Sequence, residues 1–122
     1  NEVVVNEVAP RPHNSGHQTI EGNETSQYDQ LLRCLIGMPL GSTDITIPSV
    51  MVNLLGEKGY VGAAKYEGIE KVMATAGVNV HLYGKSDTKP FRKMGHVTIV
   101  DKDLNKAKEK ARFVKDTLKI IA

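Results

Sequence analysis

The chain has 122 residues and a formal net charge of +2, and 40% of its residues are hydrophobic and 25% charged. This composition is typical of a folded globular unit and excludes a largely disordered chain, while the small net charge is no signature of a nucleic-acid binder. Cys34 is the only cysteine, which excludes an internal disulfide, and no apolar run approaches the ~18 residues of a membrane helix. We therefore expect a cytoplasmic protein with no membrane span.

The first elements are predicted to be short strands. Residues 3–5 are three valines, followed by prolines a few positions later, which predicts a buried strand over residues 3–8. Residues 17–21 could form a second short strand before a turn at Gly22 and Asn23.

The segment 6–17, NEVAPRPHNSGH, is dense in polar side chains. Its two prolines fix two φ angles, so that Glu7, Arg11 and His13 project from a stiff backbone. A carboxylate beside a fixed guanidinium and imidazole suits a bound cation next to an anionic reactant, because each charge then has an opposite partner. From chemistry alone, an Arg–Glu ion pair that only ties the loop to its strand is an equal alternative.

An amphipathic helix is predicted over residues 26–36. Ser26 and Asp29 have the spacing of a capping box, and Gly37 ends the pattern. The apolar residues at helical spacing are Tyr28, Leu31, Leu32, Leu35 and Ile36. We expect this face to be core rather than a partner site, although in a longer enzyme part of it would pack on another domain and its exposure in this chain would favour self-association. The breaker-rich connector over 38–48 is a candidate domain boundary.

The rest of the chain alternates strands and helices. The predicted elements are a strand over 50–55, a helix over 63–76, strands over 78–83 and 97–100, and a helix over 104–121. The first of these strands is apolar enough to be buried on both faces. Gly68 costs its helix about 1 kcal/mol, and Asp101 or Asp103 can cap the last helix. We expect that last helix to cover one face of a small sheet.

A second polar segment, residues 85–96 (KSDTKPFRKMGH), separates two predicted strands. Loops of this length are usually functional or mobile. Its cations are Lys85, Lys89, Arg92 and Lys93, and they could bind a phosphate, for which arginine offers a planar fork. From spacing alone, a solvated basic hairpin is the favoured interpretation.

Two histidines beside this segment could be mistaken for metal ligands. His81 and His96 have no cysteine or histidine partner at metal-ligand spacing, so we expect both to be tucked and hydrogen-bonded. The same expectation applies to Tyr83.

Several motifs in order carry a resemblance to a known family. NEVAPRPHNSGH, TIEGNETSQYDQLLRCLIGMPLGS, SVMVNLLG, HLYGK and RKMGH together resemble the C-terminal third of the 5-(carboxyamino)imidazole ribonucleotide synthases. These are ATP-grasp ligases of de novo purine synthesis, also described as the ATPase subunit of phosphoribosylaminoimidazole carboxylase. The resemblance implies that ATP phosphorylates bicarbonate and that the resulting carboxyphosphate carboxylates the amine of aminoimidazole ribonucleotide.

The resemblance also implies roles for residues of both polar segments. Glu7 matches a metal-binding carboxylate of the ATP-grasp fold, which would hold Mg²⁺ with ATP. Arg11 and His13 match groups that hold bicarbonate and stabilise carboxyphosphate, with Asn14 close by. The residues that match the site of the ribonucleotide phosphate are Lys85, Arg92 and Lys93.

The sequence departs from the family pattern at a few positions. Ala9 stands where many ATP-grasp enzymes carry a metal-binding Asn, and the other metal carboxylate is expected upstream of the chain. Lys89 replaces the usual Arg, which keeps the charge but loses the fork, and Phe91 replaces the usual Gly. We therefore rely on Arg92 and Lys93 more than on Lys89.

The expected fold class is α+β. Residues 1–40 are predicted to be the C-terminal part of an ATP-grasp domain, with strands and one helix, and residues 41–122 a small, mainly antiparallel β lobe with two helices. We expect a fragment of the ligase that is inactive alone and belongs to a homodimer, with no nucleic-acid or membrane partner. The alternative is an isolated phosphate-binding or dimerisation module without catalysis.

Overall fold

The structure is a computed structural model that describes residues 2–122. Its helices are α1 (Thr19–Gly22), α2 (Gln27–Leu35), α3 (Ile69–Met73) and α4 (Leu104–Thr117), and a 3₁₀ turn spans Asn14–Gly16. Its strands are β1 (Ser49–Leu55), β2 (Gly62–Ala63), β3 (Lys65–Glu67), β4 (Val78–Leu82), β5 (Asp87–Thr88), β6 (Lys93–Val100) and β7 (Lys119–Ile121). All strand pairs are antiparallel, and the expected α+β class is confirmed. No helix within residues 2–122 has the length and apolar character needed to cross a membrane.

The main sheet has three strands in the order β1-β6-β4, with β6 in the centre. Val97 of β6 lies opposite Val52 on one side and Val80 on the other. This confirms the three strands predicted for this part of the chain, although β6 begins at Lys93, inside the segment predicted to be a loop. The other strands form two small sheets, β2 with β5 and β3 with β7.

One face of the main sheet is apolar and packs against α4. Val97 and Ile99 of β6 are fully buried together with Ala107 and Val114 of α4. Burying a valine or isoleucine side chain contributes about 1.5–3 kcal/mol, so this contact is the main source of stability. Asp103 caps α4 by accepting a hydrogen bond from the backbone N–H of Asn105, which confirms the predicted cap.

The opposite face of the main sheet is polar. Because side chains alternate along a strand, His96 and Thr98 point away from α4. His81 of β4 lies opposite His96, and its Nε2 is 2.6 Å from Oε1 of Glu21 in α1. The N-terminal segment around α1 therefore covers this polar face.

The two predicted N-terminal strands are wrong. Residues 2–9 form no regular element, and Val3 and Val5 are 95% and 91% exposed. A strand needs a neighbour to satisfy its backbone, and no strand within residues 2–122 pairs with this segment. Residues 17–21 enter α1 instead, because the Thr19 hydroxyl donates to the Gly16 carbonyl and accepts the N–H of Gln27.

The helix predicted over 26–36 is confirmed, and its apolar face is exposed in this chain instead of packed in a core. Ser26 and Asp29 form the capping box, and Gly37 follows the helix with a φ of +70°. Leu35 and Ile36 are 71% and 68% exposed. The apolar face of α2 therefore lies largely on the surface of this chain.

Three predictions for residues 49–122 are wrong in detail. Residues 63–76 hold β2, β3 and a short α3 instead of one helix, because Gly68 adopts a φ of +81° and breaks the helical path. The last helix ends at Thr117, and the residues after it form β7, where Ile120 pairs with Tyr66. The strand β1 is half-buried rather than buried on both faces.

Gly95 allows the close approach of β4 to β6, which gives a first prediction. A Cβ at Gly95 would collide with the backbone carbonyl of His81, and overpacking of this kind costs about 1–3 kcal/mol. We expect Gly95→Ala to lower the free energy of unfolding by at least about 2 kcal/mol in urea titrations. The control is Gly37→Ala, which meets open space and only strains a positive φ, at a net cost of about 1 kcal/mol or less. Equal losses in the two variants would contradict this account.

Candidate functional site

The structure brings the two polar segments together. Nζ of Lys93, at the start of β6, donates a hydrogen bond of 3.0 Å to Oδ1 of Asn14 in the 3₁₀ turn. These residues are 79 positions apart in the sequence. The segment 6–17 and the basic segment 85–96 are therefore parts of one surface, next to the polar face of the main sheet.

The turn that carries His13 and Asn14 is held by Gln27 of α2. Oε1 of Gln27 accepts the backbone N–H of His13 at 2.8 Å, and its Nε2 donates to the His13 carbonyl at 2.9 Å. The His13 side chain closes the turn by accepting the N–H of Ser15 on Nδ1. A Cβ at Gly16 would lie 2.6 Å from Oε1 of Gln27, so glycine is needed there for this clamp to form.

His17 lies at the centre of the polar face. Its Nδ1 is 2.8 Å from Nε2 of Gln27 and 3.0 Å from the hydroxyl of Tyr28. Its ring is 4.8 Å from the ring of His96. Burial lowers the pKa of His17, and the Lys93 ammonium, His13 and His81 lower it further. The neutral imidazole is therefore the stable form at neutral pH.

His96 and His81 form a stacked pair deeper in the same face. Their ring centroids are 4.4 Å apart and the rings are nearly parallel. His96 is 2% exposed, and its Nδ1 is 3.0 Å from the hydroxyl of Tyr83. Burial, with smaller effects of His81 and His17, lowers the pKa of His96 to about 4. Burial also raises the pKa of Tyr83, with a smaller effect of Tyr28. The prediction of tucked, hydrogen-bonded histidines is confirmed.

The basic segment is ordered by hydrogen bonds to its own backbone. Nζ of Lys85 donates to the Lys93 carbonyl at 2.6 Å and lies 5.9 Å from the centre of the Tyr83 ring. Nη1 of Arg92 donates to the Asp87 carbonyl at 2.9 Å. Lys85 and Lys93 are thus brought together, while the Arg92 guanidinium bonds to the far side of its own loop.

A tight turn orients Arg92. The N–H of Arg92 bonds to the Lys89 carbonyl at 3.0 Å, and Phe91 has a φ of +62°, the only positive φ of a non-glycine residue within residues 2–122. With Pro90 before it, this is the pattern of a type II turn, which favours glycine at the position of Phe91. A left-handed backbone costs Phe91 about 1–2 kcal/mol. Phe91 thus replaces the usual glycine at a position where the backbone favours glycine.

Glu7 and Arg11 lie in the exposed N-terminal segment. They line a small surface cavity of about 190 Å³ together with His13. Within residues 2–122 no Glu7–Arg11 ion pair forms, so the simple tie between loop and strand is not observed. The same residues contain no cluster of three acidic, histidine or cysteine side chains that could hold a metal. Glu7 alone does not make a Mg²⁺ site.

Three residues of this surface were not predicted to be site residues: His17, Glu21 and Gln27. His17 lies inside the polar segment, so the density of polar groups was a usable signal. Gln27 looks like an ordinary first-turn residue of a helix, and the contact between Glu21 and His81 joins positions 60 residues apart. Neither of these two has a signal in a single sequence.

The depressed pKa of His96 predicts acid sensitivity. The pKa is 6.5 in the unfolded chain and about 4 in the native one, so the unfolded state binds the proton more tightly. The stability from this group is complete above pH 6.5 and is lost as the pH falls toward 4, by about 3 kcal/mol. We expect His96→Gln to flatten the decline of the unfolding free energy between pH 7 and 4.5, measured by urea titration beside the unchanged chain. Parallel pH profiles would contradict this.

Two family models match the chain. The phosphoribosylaminoimidazole carboxylase C-terminal domain matches residues 49–110, and the ATP-grasp domain matches residues 1–28. Among sequence relatives, N5-carboxyaminoimidazole ribonucleotide synthase of Aquifex aeolicus is 43% identical, over 96% of this chain and 30% of its own length.

Solved structures agree with these matches. N5-carboxyaminoimidazole ribonucleotide synthetase of Thermotoga maritima has a TM-score of 0.95 and 54% identity, and covers 99% of this chain and 34% of its own. The Aspergillus clavatus synthase, solved with ADP and aminoimidazole ribonucleotide, has a TM-score of 0.73 and 36% identity, over 87% of this chain and 28% of its own. This chain thus spans about a third or less of the length of these relatives. It belongs to the phosphoribosylaminoimidazole carboxylase C-terminal domain family.

Proposed function

We propose that this chain supplies part of the active site of an ATP-dependent ligase that carboxylates aminoimidazole ribonucleotide. The overall reaction consumes ATP and bicarbonate and passes through carboxyphosphate. The observation that carries the proposal is the hydrogen bond between Asn14 and Lys93. This bond joins the segment proposed to hold bicarbonate to the segment proposed to hold the ribonucleotide. A carboxyl transfer between the two substrates requires that their sites be adjacent.

The ribonucleotide phosphate is proposed to bind at Lys85, Lys93 and Arg92. The ammonium of Lys85 bonds to the backbone carbonyl of Lys93, and the ammonium of Lys93 bonds to Asn14, so both lysines belong to the same surface. A phosphate dianion needs such charges and N–H donors. Arg92 would contribute its fork after releasing the Asp87 carbonyl, at the cost of one exposed hydrogen bond.

Bicarbonate and carboxyphosphate are proposed to bind at Arg11, His13 and Asn14. The Arg11 guanidinium is exposed beside His13 and can donate two parallel hydrogen bonds to a planar carboxylate or carbonate group. The backbone of His13 is fixed by Gln27, which keeps its imidazole in place during the transfer. Donors at these residues would stabilise the charge that develops on the carboxyphosphate oxygens.

ATP and Mg²⁺ are proposed for the whole ligase, with Glu7 as one metal ligand. Mg²⁺ would neutralise phosphate charge there, and it binds through one or two carboxylates and the substrate phosphates. Because Glu7 is the only carboxylate that lines the cavity beside Arg11 and His13, we expect no ATP hydrolysis from this chain alone. We also propose that the ligase is cytoplasmic, that residues 1–40 belong to its ATP-grasp domain, and that residues 41–122 form a small C-terminal lobe.

A dimerisation module is the second candidate. Val3, Val5, Leu35 and Ile36 are each at least 68% exposed, and an apolar surface of this kind favours association. Homodimerisation is compatible with the ligase, whereas dimerisation without any binding of the ribonucleotide would favour this alternative.

A chimera tests the catalytic proposal. The matching third of the Thermotoga maritima synthetase is replaced by this chain, and carboxyaminoimidazole ribonucleotide formation is measured. We expect an active chimera in which Arg11→Met lowers kcat/KM about a hundredfold to a thousandfold, the usual loss when a donor to developing charge is removed. Arg112→Met, an exposed arginine on α4, is the control and should be neutral. Full activity of the Arg11 variant would overturn the assigned role.

Binding of the ribonucleotide to this chain tests the phosphate site. We expect Lys93→Met to weaken binding of aminoimidazole ribonucleotide about tenfold or more in calorimetric titrations, because a charge-assisted hydrogen bond contributes about 1.5–3 kcal/mol. Lys102→Met removes the same charge beyond the other end of β6 and should change affinity less than twofold. Equal losses of affinity in the two variants would mean that general electrostatic attraction, and not a specific phosphate site, explains the binding.

A further inference from the structure

The side-chain amide of Gln27 makes three hydrogen bonds whose directions are fixed by chemistry. Its Oε1 accepts the N–H of His13, because a backbone N–H can only donate. The amide nitrogen must then be Nε2, which donates to the His13 carbonyl at 2.9 Å and lies 2.8 Å from Nδ1 of His17. The orientation of the Gln27 amide is therefore not ambiguous.

The orientation of Gln27 determines the tautomer of His17. An amide NH₂ has no lone pair to offer, so Nδ1 of His17 must be the acceptor and carries no proton. The single proton of the neutral ring lies on Nε2. Within residues 2–122 Nε2 makes no hydrogen bond, and it is not among the buried polar atoms that lack a partner. This N–H is therefore available to a ligand.

The titratable groups around His17 either are neutral or disfavour the binding of a second proton to its ring. The neighbours are Lys93 at the start of β6, His13 in the preceding turn, His81 of β4, His96 of β6, and the phenols of Tyr28 and Tyr83. The carboxylate of this surface is Glu21, which bonds to His81. No carboxylate is among the groups that shift the pKa of His17, so an imidazolium there would face the Lys93 ammonium without a paired counter-charge.

We propose that Gln27 is a positioning residue that holds His17 as the neutral Nε2–H tautomer, so that the site offers an uncharged hydrogen-bond donor beside the Lys93 ammonium to an anionic oxygen of the substrate. The identity of that substrate rests on the proposed function, whereas the tautomer does not. A neutral donor adds a directed hydrogen bond without another charge to desolvate when the ligand binds.

Gln27→Glu tests the tautomer directly in this chain. One carboxylate oxygen still accepts the His13 N–H, while the other can only accept, so His17 should move its proton to Nδ1 or become an imidazolium with a raised pKa. Long-range ¹⁵N–¹H spectra of the imidazole rings distinguish these forms. In the unchanged chain at pH 7.5, we expect His17 protonated on Nε2 only. Protonation on Nδ1 in that chain would overturn the proposal.

Two controls separate Gln27 from its neighbours. Gln30→Glu is the same change on the same helix, where Gln30 clamps the backbone of Gly41 through both amide atoms and touches no imidazole. Tyr28→Phe removes the other polar neighbour of Nδ1. We expect the Nε2–H tautomer of His17 to persist in both variants, and its loss in Tyr28→Phe would assign the role to Tyr28 instead.

Binding of aminoimidazole ribonucleotide gives the functional outcome. We expect Gln27→Glu to weaken affinity about tenfold and Gln30→Glu less than twofold. A changed tautomer with unchanged affinity would overturn the role of His17 as a donor. If the unchanged chain shows the expected tautomer but does not bind the ribonucleotide, the proposed function fails and the positioning by Gln27 stands.

Discussion

The alternation of side chains along β6 is the constraint on which the rest of the structure depends. Val97 and Ile99 face α4 and form the core, while His96 and Thr98 face the segment around α1. A shift of one residue in the pairing would exchange these two faces. The same register therefore fixes both the stability of the chain and the location of its polar surface.

The polar face is costly to bury. Four buried side-chain atoms there have no hydrogen-bond partner within residues 2–122: Gln18 Oε1, Glu21 Oε2, His96 Nε2 and Thr98 Oγ1. Each such group costs about 1–3 kcal/mol. An interface selected only for stability would replace them by apolar residues, as on the α4 face. Their presence indicates a surface retained for chemistry. Burial of apolar side chains on the α4 face offsets the free energy that these unpaired groups cost.

Local sequence signals predicted the elements that local interactions decide. The capping box of α2, the Asp103 cap of α4 and the alternating strands of the main sheet were all recognisable. The errors lie where pairing between distant segments determines the secondary structure. Tyr66 and Ile120 pair in two strands that take the place of parts of two predicted helices. For the site, composition identified the two polar segments, but their meeting at Asn14 and Lys93 depends on the register of the whole sheet.

The packing of three imidazoles explains why neutrality matters on this surface. His96 lies within 4.4 Å of His81 and 4.8 Å of His17, measured between ring centres. Two positive charges about 5 Å apart repel by about 3 kcal/mol at an effective dielectric constant of about 20. A charged His96 would therefore oppose its own burial and any charge on its neighbours. With His96 and His17 neutral, the positive charge of the site is left to the lysines and arginines, whose long side chains can meet an anion and follow it.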